Sequence, residues 1–362
     1  MTTDKNSLQS LRQQIDEVDR RLLELISSRA KLAQQVAQVK AESGEGSRYY
    51  RPDREATVLK RILEHNQGPL SDEEMARLIR EVMSACLALE QKLQVAFLGP
   101  SGTFTEEAAY KHFGRSIQTL ATTSIDDVFR EVESDNAHYG VVPIENSTQG
   151  IVNSTLDMFL ESTLSIVGEV EMRVHQHLLS NVDNLGEVQV LFSHQQSLAQ
   201  CKKWLETHLP GVKRVPVSSN ADAAKRAADD KNAAAIASET AASVYNLKVQ
   251  NKKIEDSPDN TTRFLIIGKQ EVEPTGDDKT TILISARNKP GALYNLLQPL
   301  AKNNVSMTRI ESRPSHCVNW EYVFFLDLEG HLKNDTIHNC IAELKADADL
   351  LKVLGSYPRA AL

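Results

Sequence analysis

Arg29 stands in the middle of an apolar helical stripe. Leu8, Leu11, Ile15, Val18, Leu22 and Leu25 precede it, and Leu32, Val36 and Val39 follow, in alternating steps of three and four. A cation in such a seam is costly unless an anion or a carboxylate meets it. Arg12 and Lys40 flank the same segment and Arg54 opens the next, so the four together can surround a small dicarboxylate. Each also has a plain reading: Arg29 snorkels to the edge or pairs with a glutamate, and the others decorate a solvated helix face. A second set of reactive types lies at Glu145-Asn146-Ser147-Thr148, Ser193-His194-Gln195-Gln196, Gln200 and Thr261-Thr262-Arg263, next to the ends of strand-like runs. Ligands of α/β domains bind beyond the carboxyl ends of strands, although turns favour the same side chains. His194 is either a general acid or a structural histidine. Gly99-Pro100-Ser101-Gly102-Thr103 matches neither G-x-G-x-x-G nor the loop ending in Gly-Lys-Ser/Thr, so a nucleotide is not expected there. Thr103-x-x-Glu106 reads as a capping box, and a helix N-terminus at that point suits a carboxylate.

Three kinds of scaffold must position these residues. Residues 4–93 are patterned as helix throughout: one helix up to the break at Glu42–Ser47, a second from about Pro52 to Asn66, and a third opened by Ser71 and running to about Leu93. Three such helices bury little as a monomer, so a helical dimer is expected. From Gln94 strand-like runs at 95–98, 139–144, 164–170, 188–192, 233–237 and 264–267 alternate with helical patterns, which indicates an α/β domain. After the polar linker 271–278, strand 280–286, helix 291–303, strands 305–312 and 320–328, helix 335–346 and strand 350–356 spell βαββαβ, the ferredoxin-like split motif. The predicted fold is multidomain: an all-α domain over 1–93, an α/β domain over 94–270 and a ferredoxin-like α+β domain over 279–362.

Bulk properties exclude several classes. A chain of 362 residues with net charge -8 lacks the basic surface of a nucleic-acid binder. Cys86, Cys201, Cys317 and Cys340 are scattered, which fits neither a disulfide framework nor a zinc site and suits a reducing compartment. The N-terminal residues carry no apolar signal-like core, and no apolar run is long enough to span a bilayer. A cytoplasmic protein without metal or cofactor is expected, with no membrane partner.

Several strings carry a resemblance. LRQQIDEVDRRLLELISSRAKLAQQVAQVK followed by RPDREATVLKR closely resembles the all-helical chorismate mutase family. The resemblance implies two intertwined chains, with Arg12 reaching the partner's site while Arg29, Lys40 and Arg54 serve their own. Glu55 would hold the substrate hydroxyl, and Lys40 with Glu90 would face the breaking ether oxygen. Cys86 stands where serine is common, Glu90 where glutamine is frequent, and Arg51 at a position that can be acidic. The rearrangement needs no nucleophile; the site holds a dianion compact and stabilises charge on the ether oxygen. Further on, AFLGPSGTFTEEAA, VVPIENSTQG, FSHQQSLAQC, AAIASETAA and NTTRFLIIG resemble, in that order, prephenate dehydratase. That family implies two α/β lobes like those of periplasmic solute-binding proteins, with substrate in the cleft. Thr262 would donate to the departing hydroxyl, with Asn146, Ser147, Ser193 and Gln200 orienting. Arg263 would meet a carboxylate or form a salt bridge across the cleft, and Phe264 would pack on the substrate ring or in the lobe core. Finally Gly291-Ala292-Leu293 and Glu311-Ser312-Arg313-Pro314, within NNVSMTRIESRP, resemble the phenylalanine-binding ACT domain, whose ligand lies between two copies. The combination implies chorismate to prephenate to phenylpyruvate, feedback-inhibited by phenylalanine in a homodimer or larger homo-oligomer.

Overall fold

A computed structural model describes residues 2–42, 50–285, 290–314 and 322–360. Cys317, most of the break at 43–47 and the strand ends at 286, 320 and 321 lie outside the described residues. Helix α1 (Thr2–Glu42) is one long rod. Helix α2 (Pro52–His65) starts on proline, and α3 (Asp72–Ala88) is capped by the Ser71 hydroxyl, which accepts from the Glu74 N–H. The third helix ends before the expected Leu93, because the Glu90 N–H turns back onto the Leu87 carbonyl.

The middle domain is α/β and has two lobes. The first contains β1 (Gln94–Leu98), α4 (Phe104–Phe113), β2 (Gln118–Thr122), α5 (Ile125–Glu133), β3 (Tyr139–Asn146), the short β4 (Gly150–Ile151), α6 (Asn153–Glu161) and β5 (Ser165–Arg173). The second contains β6 (His177–Ser180), β7 (Val190–His194), α7 (Gln195–Gln200), α8 (Lys202–His208), β8 (Lys213–Val217), α9 (Asn220–Asp229), β9 (Ala233–Ala237), α10 (Glu239–Val244) and β10 (Lys248–Asn251). The chain then returns to the first lobe as β11 (Thr261–Gly268), giving sheet orders β2-β1-β3-β11-β5 and β10-β6-β9-β7-β8. Two segments cross between lobes and run side by side, the Val174 N–H donating to Asn260 O and the Ile254 N–H to Gln176 O. The alanine-rich β9 and α9 pack closely, since every β9 residue is buried.

The C-terminal domain follows the expected order as β12 (Asp278–Ser285), α11 (Ala292–Lys302), β13 (Met307–Pro314), β14 (Tyr322–Glu329), α12 (Asp335–Asp347) and β15 (Leu350–Pro358), in an antiparallel sheet β13-β14-β12-β15. Its two helices cover one face through Ile282, Leu296, Leu326 and Leu344. The other face stacks on the first lobe, where Leu283, Val323, Phe325, Leu354 and Tyr357 share one core with Phe129, Ile144, Leu156 and Leu265. Gly355 permits this approach, because a Cβ there would overlap the Ile166 carbonyl of β5.

Candidate active sites

The apolar stripe of α1 is uncovered. Leu8, Leu11, Ile15, Val18, Leu22, Leu25, Leu32, Val36 and Val39 are 48–66% exposed, a long apolar face rather than scattered surface residues. Arg12 and Arg29 are exposed on the same helix, as is Arg54 on α2. Arg20 and Arg21 instead pair with Glu17 and Glu24 along α1. Near the end of the rod, Lys40 is half-buried and close enough to Glu90 for their charges to interact. Burial raises the Glu90 carboxyl pKa and Lys40 opposes the shift, so the protonated form persists above the ordinary carboxylate range. Cys86 is buried within α3.

Glu55 is paired within the chain. Its carboxylate receives Arg80 Nε at 3.2 Å, with both side chains only 12% exposed. Burial raises its pKa, and Arg80 and Tyr50 pull it back only in part. The pair lines a small cavity where α2 and α3 meet β5 and the segment after β15. The Tyr50 hydroxyl lies 3.0 Å from His112 Nε2 in the same place, and burial there holds the His112 pKa down at about 3, so that ring is neutral. Arg51, at its unusual position, is paired with Asp53 at 2.7 Å.

The middle domain gathers its polar residues where the lobes meet. Strands β3 and β11 are antiparallel with Asn146 opposite Thr262. Asn146 Nδ2 donates to Thr262 Oγ1 at 2.7 Å and to Asn260 Oδ1 at 2.8 Å. Its Oδ1 accepts from the Thr148 N–H, the Thr148 hydroxyl and the Gln149 N–H. The amide is therefore saturated, and its orientation is fixed by five bonds. With Asn146 donating to its oxygen, Thr262 keeps its own O–H for another acceptor. Gln200, on the other lobe, donates to Thr148 Oγ1 at 3.2 Å and accepts from Asn260 and Gln176 at 3.3 Å. Ser193 is fully buried and donates to Asn220 Oδ1, while Asn220 donates to Ser197 at 2.8 Å. Ser193 thus holds the Asn220 amide in place. Ser147 ties the β3 turn to β11, accepting from the Thr261 N–H and donating to Asp259 O.

Two alternatives left open by the sequence are narrowed, and one expectation, the capping box, is corrected. Arg263 does not face the cleft: alternation along β11 turns it away from Thr262, and its guanidinium binds Glu169 at 2.8 Å, Asp327 at 2.6 Å and the Tyr357 hydroxyl at 3.1 Å. Burial works against that charge, but Tyr357, Asp327 and Glu169 outweigh it and raise the pKa. Phe264 packs in the lobe core with Val95, Phe97 and Tyr139 rather than on a ligand. The expected capping box at Thr103 is absent: Thr103 donates to Leu98 O, and the buried Glu106 accepts from the Gly102 N–H at 2.6 Å and from Thr119. His194 stands at the start of α7, its backbone N–H held by Asn220. Asn220, Asn260 and Gln176 escaped the sequence reading; only Asn260, beside Thr261-Thr262, carried a signal in its position.

In the C-terminal domain Gly291 takes φ +81 ahead of α11, and among the described residues nothing lies close to it, so glycine there serves the backbone angle. Leu293 is exposed, as are Ser312 and Pro314 on the edge strand β13, whereas Arg313 pairs with Asp157 on α6 at 2.5 Å.

Neutral polar groups gathered where two α/β lobes meet define the class: a two-lobed α/β domain, with a helical module before it and a ferredoxin-like module after it. The chorismate mutase type II model matches residues 11–91, the prephenate dehydratase model residues 95–272 and the ACT domain model residues 280–345. The chain is also 56% identical, over 99% of its length and 100% of the relative's, to the bifunctional chorismate mutase/prephenate dehydratase of Pseudomonas aeruginosa. It belongs to that family, with both activities on one chain. Among solved structures it is similar to the prephenate dehydratase of Arthrobacter aurescens in complex with L-Phe, with TM-score 0.69 and 33% identity over 74% of this chain and 90% of that one. It is equally similar in fold to GqqA, described as a quorum quenching acylase, with TM-score 0.69, 28% identity and 98% of that chain covered. Among the described residues, no group of acidic, histidine or cysteine side chains could hold a metal, and no helix is long and apolar enough to cross a membrane.

Proposed function

We propose that Arg12, Arg29, Lys40 and Arg54 bind chorismate, and that the Asn146–Thr262 pair carries the loss of water and carbon dioxide from prephenate. Prephenate loses its ring hydroxyl as carbon dioxide departs and the ring becomes aromatic. A threonine is a poor free acid, but a fixed O–H aimed at a leaving oxygen stabilises the charge growing there. The bond from Asn146 Nδ2 to Thr262 Oγ1 carries this reading, because it leaves the threonine as donor. Asn260, Gln200 and Asn220 extend the polar surface across both lobes. In the mutase, Glu90 donates to the ether oxygen beside Lys40 when protonated, and Arg12 comes from a second chain whose α1 covers the exposed stripe. Glu55, engaged by Arg80, serves to hold α2 rather than to bind substrate. Phenylalanine binds at Gly291–Leu293 and Glu311–Pro314, between two copies of the C-terminal domain, and inhibits. The uncovered edge strand β13, with Ile310 and Tyr322 exposed beside it, supports such an interface. The enzyme acts in the cytoplasm.

The test supplies chorismate or prephenate and follows phenylpyruvate with and without phenylalanine. Arg29→Ala is expected to abolish the first step and spare the second. Thr262→Ala is expected to lower the second by about a hundredfold or more and spare the first. Loss of both activities in either folded variant would contradict separate sites.

A further inference from the structure

One cross-strand pair beyond Asn146 and Thr262, β3 and β11 place Glu145 opposite Arg263. In the C-terminal sheet β13 and β14 place Arg309 opposite Asp327. The two sheets stack so that these pairs meet face to face with complementary charge. Arg263 Nη1 lies 2.6 Å from Asp327 Oδ2, and Arg309 Nε lies 3.2 Å from Glu145 Oε2. The two contacts differ in quality. Asp327 also accepts from Thr281 at 2.7 Å, and Arg263 is held by Glu169 and Tyr357, so that side is an anchor. On the other side, Arg309 is only 12% exposed, yet its Nε and Nη2 lack a hydrogen-bond partner among the described residues, while Glu145 is 42% exposed. A buried guanidinium with unmet donors carries a desolvation cost that a better-aligned contact would relieve. Arg309 lies two residues before Glu311 on β13, and Glu145 directly precedes Asn146.

We propose that the Arg309–Glu145 contact is the adjustable coupling between the C-terminal domain and the dehydratase cleft. A shift of β13 tightens this contact, pulls on the end of β3 and displaces Asn146 from Thr262, while the Arg263–Asp327 side acts as the pivot. Arg309 is a regulatory residue that touches no substrate, and Glu145 positions Asn146. The inference rests on the phenylalanine reading above.

The experiment uses the full chain with phenylalanine as probe. Binding is measured by equilibrium dialysis, dehydratase activity at saturating phenylalanine, and mutase activity as the check that each variant is folded. Arg309→Gln is expected to keep binding phenylalanine and to retain most dehydratase activity when saturated, its inhibition weakened about tenfold, within the usual range of allosteric coupling. Glu145→Gln should be desensitised likewise, the double variant no further than either single, and Arg309→Lys should recover part of the inhibition. Full inhibition of Arg309→Gln at saturation, or additive effects in the double variant, overturns the coupling while leaving phenylalanine binding intact. Failure of the unmodified chain to bind phenylalanine overturns both readings.

Discussion

Thr262 works through what surrounds it. Its oxygen is occupied by the Asn146 amide, and that amide is locked because its own oxygen accepts three donors from the β3 turn. In the proposed role, a donor held this way would need no reorganisation as charge develops on the leaving oxygen, so a neutral hydroxyl would suffice. Glu90 presents the opposite case, a group whose protonation state decides its usefulness. Its pKa is raised by burial, with Lys40 only partly offsetting the shift. Only the acid form donates, so the mutase rate is expected to fall as pH rises through that raised pKa. Glu90→Gln carries an amide donor at every pH and should flatten the profile. Initial rates on chorismate across pH decide it, and an unchanged slope in the variant removes Glu90 from the role.

At the scale of elements, α1 is a helix whose apolar face has nothing over it among the described residues. Isolated helices gain most of their stability from burying such a face, so a 41-residue rod of this kind requires a partner. In the proposed dimer a second copy would supply the same stripe and the cation at Arg12. Leu22→Asp in the middle of the stripe is expected to shift the protein towards monomer in sedimentation velocity and to remove mutase activity while sparing the dehydratase. A variant that sediments like the unmodified chain would show that α1 is not the interface. Helix α2 has the opposite situation: it is fixed from behind by Glu55–Arg80, and the cavity beside that pair adjoins β5 and Arg359. Arg54 therefore projects from a helix whose other side rests on the rest of the molecule.

At the scale of the whole molecule, the C-terminal domain is part of the dehydratase core rather than a tethered sensor. Leu283, Phe325, Leu354 and Tyr357 are buried against the first lobe, and Lys279 and Arg263 share Glu169 between the two units. Truncation after Gly276 would expose that apolar face and leave Arg263 without Asp327. The truncated chain is expected to lose dehydratase activity and to aggregate on heating at a lower temperature than the full chain. A soluble, fully active truncation would show that the stacking is dispensable.

The sequence alone determined the three-part order and the βαββαβ order of elements, because periodicity and ordered motifs are local properties of the chain. It also identified the uncovered stripe on α1, since an apolar face that a short domain cannot bury is visible from spacing. It left open where Arg263, Phe264 and Glu55 point. Arg263 follows Thr262 directly, and only the stacking of a sheet some sixty residues further on, through Asp327, decided that it meets a carboxylate of its own chain rather than a substrate's. Long-range packing sets such pairings: alternation along a strand puts neighbours on opposite faces, but what covers each face depends on the whole fold.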